Sequence, residues 1–462
     1  MTAAAVEQRL LLSFYGDDFT GSADAMEALA WNGIRTVLFL EPPTAELLAG
    51  RFPDIGAFGV AGVSRTMSPD EMERELRPIF ERLRDIPTSL VHYKMCSTFD
   101  SSPEVGSIGR AIEIGAAVFG DQPCVPLLVG APALKRYTVF GHHFAGAGKK
   151  TYRLDRHPTM SRHPVTPMDE SDLRILLARQ TSRTASTLSI MELDRDAESL
   201  RELYEERMAE CPGVLLFDVL DDVRLRRACG LIWSEAELGG QRFVVGSSGI
   251  EYGLASYWQQ VGLAEASPTS PAGCGAVDRL LVVSGSCSPM TEAQIRYALD
   301  RGFEGIKVDT ERLVADTSDA EAACRELAER AGDVLRRGGS PLLYTAAGPD
   351  DESIRRLKRT LLELGQRSAE AGRRLGERLG RIARTLIEEH GLRRMAVAGG
   401  DTSGFVTREL GIYAIEALQP IAPGGPLCRG YSEEAGIDGF ELALKGGQVG
   451  KEDFFVRVRE GK

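Results

Sequence analysis

The sequence lacks the features of several common functional classes. Its 462 residues include eight cysteines but no CxxC pair, so we expect neither a zinc ribbon nor a disulfide framework. It has no long apolar run, and its first apolar stretch ends in acids, so we expect no signal peptide, no membrane span and a cytoplasmic location. A formal net charge of -12 argues against nucleic-acid and membrane partners.

Familiar cofactor and metal motifs are also missing. No G-x-x-x-x-G-K-[ST] occurs, and "GAGKKT" at 146–151 is interpreted as an exposed basic turn because no strand and loop register fits it. No G-x-G-x-x-G follows the first strand. Four of the six histidines fall between 142 and 163, but without HExxH or similar spacing, which does not favour a metal site.

Short apolar runs alternate with helical patterns along almost the whole chain. This alternation predicts an α/β protein with mostly parallel strands, for example at Leu10–Tyr15, Leu90–Met95 and Thr187–Met191. A stretch rich in Ala, Ser, Pro and Gly at 264–278 is typical of a linker. We therefore predict two α/β domains, 1–265 and 279–462, joined by a linker at 266–278. A helical pattern at 353–390 fits one surface helix or a pair.

Three stretches end an apolar strand in small residues and then begin a helix: 10–29, 280–295 and 394–410. Such turns present free N–H groups and the positive end of a helix dipole, which suits a phosphate. Two of the three lie in the second domain, together with "LALKGGQVG", where Lys445 stands beside Gly446 and Gly447. We expect this lysine to place a cation next to exposed backbone amides. The alternative is that the Ser, Thr and Asp residues only cap helices.

The first domain carries polar residues of another kind after its predicted strands. Arg and Lys recognise carboxylates, and hydroxyls match those of a sugar, so this set predicts a polyhydroxylated acid as substrate. The predicted substrate-binding residues are Arg65, Lys94, Ser97, Thr98, Arg136 and His142. Cys96 is predicted to be a packed thiol.

Two adjacent acids, Asp17 and Asp18, follow the first strand. One acid would suffice to cap the helix, and Thr20 or Ser22 could also do so. Since like charges repel, the second acid needs another role. We predict that one of them, with a slight preference for Asp18, accepts the proton of an attacking hydroxyl.

In order along the chain, "GDDFTGSADA", "YKMCSTFDSS", "RHPVTPMDESDL", "VVSGSCSPMTEAQI", "AGGDTSG" and "LALKGGQVG" resemble the motifs of the four-carbon acid sugar kinase family. The resemblance implies an ATP-dependent kinase with an amino-terminal domain for the acid sugar and a carboxyl-terminal domain for the nucleotide. The two ligands would bind in the cleft between the domains. The implied nucleotide contacts are Ser286, Ser288, Ala346, Gly399, Gly400, Asp401, Thr402, Lys445, Gly446 and Gly447. Asp401 is the expected Mg²⁺ ligand, directly or through water.

The sequence departs from the family pattern after Ser97 and Thr98. Typical members continue into Leu/Phe-Arg-Gly-Asn, whereas here Asp100 replaces the arginine, and Cys96 replaces an acid. This departure favours a different or branched sugar acid, such as 3-oxo-isoapionate, over tetronates and 3-oxo-tetronate.

Two other functions remain open from the sequence: a nucleotide-dependent α/β oxidoreductase and a noncatalytic sugar-acid sensor. The missing G-x-G-x-x-G counts against the first. A sensor would not need both "AGGDTSG" and "KGGQVG". A small sugar acid is the expected partner. The sequence permits a homo-oligomer without fixing its size.

Overall fold

The computed structural model describes residues 10–120, 122–163, 165–211, 213–237, 239–265, 273–315, 318–363 and 365–462. These residues form two compact units that divide between residues 267 and 268. Within the described ranges, no helix is both long and apolar enough to cross a bilayer.

The amino-terminal unit combines eleven strands with eight α-helices in its described part. The strands are β1 Leu10–Gly16, β2 Thr36–Phe39, β3 Ala57–Ala61, β4 Thr88–Lys94, β5 Val125–Leu128, β6 Arg136–Val139, β7 His142–Ala147, β8 Lys150–Arg153, β9 Ala185–Leu188, β10 Val214–Phe217 and β11 Arg242–Gly246. The helices are α1 Phe19–Ala30, α2 Ala45–Arg51, α3 Pro69–Arg84, α4 Ile108–Val118, α5 Leu173–Ala178, α6 Ala197–Glu210, α7 Asp222–Glu237 and α8 Gly249–Val261.

Eight of these strands form a parallel sheet in the order β2-β3-β1-β4-β11-β5-β10-β9. Its strands are mostly apolar and, apart from the half-buried edge strand β9, largely buried on both faces, as expected when helices cover a parallel sheet. Behind the end of β1, Tyr15 stacks on Tyr93 with ring centroids 6.1 Å apart, and Phe80 packs edge-on against Tyr15. This aromatic cluster gives the loops that follow β1 and β4 a rigid base.

The carboxyl-terminal unit contains the remaining strands and helices of the described chain. Its strands are β12 Leu281–Ser284, β13 Phe303–Lys307, β14 Ser340–Tyr344, β15 Arg394–Ala398, β16 Ile412–Ala422, β17 Gly425–Ser432 and β18 Glu441–Lys445. Its helices are α9 Pro289–Leu299, α10 Thr310–Val314, α11 Ser318–Arg336, α12 Glu352–Glu363, α13 Ser368–His390, α14 Gly400–Glu409 and α15 Phe454–Glu460. Five strands are parallel in the order β13-β14-β12-β15-β18, and β17 and β16 continue the sheet antiparallel.

The predicted α/β class with mostly parallel sheets is confirmed, but several local predictions were wrong. The strand predicted at Thr187–Met191 is β9, Ala185–Leu188, because residues 189–193 turn so that Leu193 N–H donates to Ser189 O at 3.0 Å. The sequence patterns also missed the small antiparallel sheet β6-β7-β8. Its hairpin between β7 and β8 is the basic turn predicted at 146–151, and it exposes Lys149.

Part of the predicted linker, 266–272, lies outside the described residues. The rest, 273–278, is bound to the carboxyl-terminal unit: Val277 N–H donates to Arg459 O at 2.9 Å, and Arg394 donates to Gly275 O at 2.9 Å. These bonds tie 273–278 to the carboxyl-terminal unit. The predicted boundaries, with domains at 1–265 and 279–462, stay a proposal.

Candidate active site

Three adjacent parallel strands bring the predicted amino-terminal residues together. β3, β1 and β4 lie side by side, and their carboxyl ends lead into Arg65, Asp17 and Lys94. Backbone bonds fix the three loops: Asp17 N–H donates to Lys94 O at 2.9 Å, and Arg65 N–H donates to Asp17 O at 3.0 Å. This edge of the sheet is where open α/β folds bind ligands.

The side chain of Arg65 binds both acids of the pair. Its Nε and Nη2 donate to Asp17 Oδ2 and Oδ1 at 3.0 and 2.7 Å, and its Nη1 and Nη2 donate to Asp18 Oδ2 and Oδ1 at 2.7 and 2.8 Å. Four of its five N–H groups are thereby used. We predicted that Arg65 binds the substrate; in this structure it chiefly holds the two carboxylates side by side.

The two acids differ in exposure and in their bonds. The Asp17 side chain is 4% exposed, and burial raises its pKa while Arg65 opposes that rise. The Asp18 side chain is 30% exposed, and its Oδ1 also accepts from Gly21 N–H at 2.8 Å as the N-cap of α1. The suggestion that Thr20 or Ser22 caps the helix was therefore wrong. Asp18 Oδ2 accepts only from Arg65 among the described groups, which leaves it a lone pair for a ligand.

Lys94 is buried beneath α1. Asp24, an acid of α1 that the sequence patterns did not reveal, lies near it. A Cβ at Gly21 would lie 2.3 Å from Lys94 Nζ and 2.5 Å from Asp18 Oδ1, so any larger residue there would displace one of these groups. Asp24 lies one helical turn after Gly21. Burial raises the pKa of Asp24, and the nearby Lys94 ammonium opposes that rise. The i, i+3 spacing of Gly21 and Asp24 was the available signal.

Residues 96–100 form a chain of polar contacts at the end of β4. Cys96 Sγ lies 3.1 Å from Thr98 Oγ1, which donates to Asp100 Oδ1 at 2.8 Å. Burial, followed by the charge of Asp100, raises the pKa of Cys96 to about 11, so its thiol is protonated, as expected for a packed cysteine. Phe99 between them is fully buried at φ +58°, a conformation that a bulky residue adopts only when its surroundings impose it.

Burial lowers the pKa of Arg136, at the start of β6, and the nearby carboxylate of Asp100 opposes that shift, so its guanidinium lies close to this chain. Its Nη1 donates to the carbonyls of Leu134, Lys135 and Gly146. Its buried Nε has no partner among the described atoms. The guanidinium therefore retains donors for an anion.

His143, rather than the predicted His142, contacts the Ser97 loop. Its Nε2–H donates to Ser97 O at 2.9 Å, and Thr138 donates to its Nδ1 at 3.1 Å. Burial lowers the pKa of His143 to about 3, which fits this neutral tautomer. Because neighbours on a strand face opposite sides, His142 instead lies 3.0 Å from Ser171 Oγ. The structure does not bring His142 into contact with the other candidates in the described part of the chain.

Four loops of the carboxyl-terminal unit meet in the same way. β14, β12, β15 and β18 are neighbours, and their carboxyl ends lead into the loops at 345–346, 285–288, 399–402 and 446–447. Thr345 N–H donates to Ser284 O at 3.0 Å, and Gly399 N–H donates to Lys445 O at 2.9 Å. Every predicted nucleotide contact therefore lies at one edge of one sheet, although Ala346 is buried.

Glycines line the space between these loops. A Cβ at Gly285 would lie 2.0 Å from Thr402 Oγ1, and one at Gly447 would lie 2.9 Å from Ser286 Oγ. Gly399 has φ +122°, which side chains rarely adopt. The glycines therefore let the four loops pack closely with their backbone near the surface of the group, and we call this cluster of loops the cradle.

The two helices that start in this cradle differ at their first turns. Ser288 caps α9 by accepting from Thr291 N–H at 3.1 Å, and both Ser286 and Ser288 use their hydroxyls within the protein. Helix α14 has Gly399 as its N-cap and no side-chain cap. Its first N–H groups are thus open to an anion. Asp401 is exposed in this turn, and the described residues contain no cluster of His, Cys, Asp or Glu that could hold a metal alone.

From its sequence neighbours we predicted that Lys445 stands beside exposed backbone amides. The structure instead buries it. It is 1% exposed, and its Nζ donates to Thr291 Oγ1 at 3.2 Å and to Gly447 O at 3.3 Å. Thr291, which the sequence analysis missed, also donates to Gly447 O at 3.0 Å. Lys445 therefore fixes the Gly446–Gly447 loop against the start of α9.

The buried Lys445 predicts a pH dependence of stability. Burial lowers its pKa to about 7, from an ordinary value of 10.5. Between these values the unfolded chain binds the extra proton, so the free energy of unfolding should rise with pH from about 7 towards 10.5. Urea unfolding at several pH values should show that Lys445→Met flattens this rise. The exposed Lys358→Met is the control, and equal slopes in both variants would contradict the assignment.

Comparison with known families covers both units. A profile described as "Sugar-binding N-terminal domain" matches residues 12–254, and one described as "Nucleotide-binding C-terminal domain" matches residues 281–455. The 3-oxo-isoapionate kinase of Paraburkholderia graminis is 44% identical over 460 residues, covering 100% of this chain and 96% of that protein. The 3-oxo-tetronate kinase of Pseudomonas fluorescens is 31% identical and covers 97% of this chain and 96% of that protein.

Solved structures share the fold over nearly the full length. A Salmonella typhimurium LT2 protein has a TM-score of 0.77 at 25% identity, covering 98% of this chain and 100% of that one. A Haemophilus influenzae protein has a TM-score of 0.72 at 22% identity, covering 97% and 99%.

Proposed function

This chain belongs to the four-carbon acid sugar kinase family, and from that premise we propose that it transfers the γ-phosphoryl group of ATP to a hydroxyl of a branched sugar acid. The observation that carries the proposal is the backbone-lined cradle formed by the ends of β14, β12, β15 and β18. A family of this kind needs such a site for the nucleotide phosphates, and it lies in the unit matched by the nucleotide-binding profile.

On the nucleotide side, the open amino terminus of α14 and the loop at Gly446–Gly447 would hold the phosphates through backbone N–H groups. The exposed carboxylate of Asp401, in the first turn of α14, would help to hold Mg²⁺, directly or through water. Mg²⁺ held there would supply positive charge to offset the negative charge that develops on the phosphates during transfer. Lys445 would contribute to phosphate binding indirectly, by holding the Gly446–Gly447 loop in place.

On the sugar-acid side, Lys94 and Arg136 supply the positive charge that a substrate carboxylate requires. Ser97, Thr98 and Asp100 offer hydroxyl and carboxylate partners for sugar hydroxyls. Asp18 Oδ2 is the oxygen with a free lone pair and solvent access, and it accepts the proton of the attacking hydroxyl. Asp17 and Arg65 position that carboxylate.

A branched acid is preferred over a linear tetronate for two reasons. The 3-oxo-isoapionate kinase shares 44% identity with this chain, whereas the 3-oxo-tetronate kinases share between 27% and 31%. Asp100 also adds an acceptor beside Thr98 that can bind an extra hydroxyl group. The eight cysteines form no CxxC pair or disulfide framework in the sequence, which suits a reducing compartment, so we place the reaction in the cytoplasm.

The first prediction of this proposal concerns the nucleotide. ATP with Mg²⁺ should raise the melting temperature of the full chain, while NAD(H) and NADP(H) should not, because a ligand stabilises the fold that binds it. Thermal-shift measurements at matched nucleotide concentrations test this. A shift with the dinucleotides alone would favour the oxidoreductase alternative.

The substrate class is tested by ADP release across a panel of four-carbon, five-carbon and branched sugar acids. We expect the highest kcat/KM with 3-oxo-isoapionate or another branched acid, and lower values with threonate, erythronate and 3-oxo-tetronate. Replacing Asp100 by alanine should reduce the advantage of the branched acid. A higher kcat/KM with a linear tetronate would contradict the proposed preference without contradicting the kinase assignment.

A further inference from the structure

A second cavity lies away from the candidate active site. Helices α6, α7 and α8 enclose a groove of about 510 Å³ in the amino-terminal unit. Its lining residues come from α7, from the start of α6 and the residues just before it, and from the end of α8. None of its lining residues belongs to the candidate active site, so the function proposed above does not explain it.

The groove is basic in a protein whose net charge is -12. Four arginines line it against a single glutamate, Glu237. Those arginines are Arg195, Arg201, Arg226 and Arg227. Glu237 accepts from Trp233 Nε1 at 2.8 Å, so it is oriented by its own helix. A local concentration of positive charge of this kind attracts anions.

Much of this charge has no acid to neutralise it. Within the described ranges, the side chains of Arg195 and Arg226 make neither an ion pair nor a hydrogen bond. Arg227 donates to the carbonyls of Leu193 and Arg195 at 2.7 and 3.3 Å, which are uncharged acceptors. Arg201 has a loose contact of 3.6 Å with Glu205.

The acids close in sequence to the lining residues already have other partners. Asp194 and Asp221 both pair with Arg224. Asp196 accepts from Ser199 N–H at 3.0 Å as the cap of α6. The groove therefore keeps its positive charge at neutral pH.

The α8 side of the groove carries an aromatic ring. A Cβ at Gly230 would lie 2.8 Å from Tyr257 Cε2. Because glycine has no side chain, the tyrosine ring packs directly against the backbone of α7. Tyr257 is half-buried, and burial raises its pKa, so its ring is neutral. Leu200 and Leu231 add apolar surface beside it. A planar ring can stack here while an anionic group reaches the arginines.

We propose that this groove binds a nucleoside phosphate at a second site, separate from the proposed ATP site. Guanidinium groups pair with phosphate through parallel hydrogen bonds, and the tyrosine ring offers a face to the base. The volume falls in the range of small-molecule pockets. The proposal concerns binding alone and does not depend on the reaction proposed above.

The test is calorimetric titration of the full chain with ADP, up to concentrations on the order of 1 mM, the scale of weak metabolite sites. Two binding events are expected. The double variant R195Q/R226Q removes two guanidinium groups that have no structural partner, and it should weaken one event by about tenfold or more while leaving the other unchanged. R325Q/R330Q makes the same charge change at exposed positions of α11 and should change neither event.

Two further arms separate this site from the proposed ATP site. Gly400→Val should weaken the other event and spare the one lost in R195Q/R226Q. Tyr257→Leu should weaken ADP binding at the groove but spare pyrophosphate binding, since only the base stacks on the ring. An isotherm unchanged in R195Q/R226Q, or changed equally in R325Q/R330Q, would overturn the groove proposal. If Gly400→Val spares both events, the ATP site is misplaced and the groove proposal stands.

Discussion

Replacing Asp18 by asparagine should lower kcat by roughly 100-fold or more, which is the usual scale for a lost general base. The affinity for ATP should stay unchanged. Asparagine caps a helix about as well as aspartate, so α1 should keep its N-cap bond to Gly21. The substitution therefore removes the proton acceptor with little effect on the fold. Steady-state kinetics and ATP titration of the same preparation measure both quantities.

Asp17→Asn should act mainly on stability and lower kcat far less than Asp18→Asn, because Asp17 only helps to position the Asp18 carboxylate. Its buried carboxylate is bound through both oxygens to Arg65, so its loss leaves a poorly compensated charge and should cost roughly 2 kcal/mol of stability or more. Asp309→Asn, at the exposed N-cap of α10, is the matched control and should change neither kcat nor stability noticeably. If Asp17→Asn lowers kcat strongly and Asp18→Asn does not, the two roles are exchanged.

Gly400→Val should weaken ATP binding by about tenfold or more, because branched methyl groups at the first residue of α14 would block anion approach to the open N–H groups. Valine is at least as good as glycine within a helix, so the fold should persist. Calorimetry with ATP and Mg²⁺ gives the affinity, and circular dichroism checks the fold.

Gly372→Val is the matched control for this variant. Gly372 lies in α13, where an added Cβ would meet nothing within 4 Å. Both variants should melt at similar temperatures without ligand, and only Gly400→Val should lose the stabilisation by ATP. Unchanged ATP affinity in folded Gly400→Val would place the phosphates elsewhere.

Patterns that depend on neighbours in sequence were predictable. The strand-to-helix turns at 16–19, 284–289 and 398–400 are present in the structure, because small residues and helix caps act locally. Parallel strands also place their carboxyl ends at one edge, so the four loops of the carboxyl-terminal unit meet as a group.

Contacts between distant segments were not predictable in the same way. The bonds of Arg65 to both acids depend on β3 lying beside β1, which the sequence does not specify. Lys445 was misplaced for a similar reason: it ends β18, and its partner Thr291 lies 154 residues away. The pattern could show that a lysine stands beside two glycines, but not that helix α9 would cover it.

Phosphoryl transfer to the sugar acid can be followed by ³¹P NMR of the full chain incubated with ATP, Mg²⁺ and 3-oxo-isoapionate. We expect loss of the γ-phosphate resonance and growth of one phosphomonoester resonance, with one ADP formed for each phosphorylated acid. Asp18→Asn should slow this conversion at unchanged ATP binding. No phosphomonoester with any acid of the panel, or release of inorganic phosphate alone, would contradict the assignment as a sugar-acid kinase.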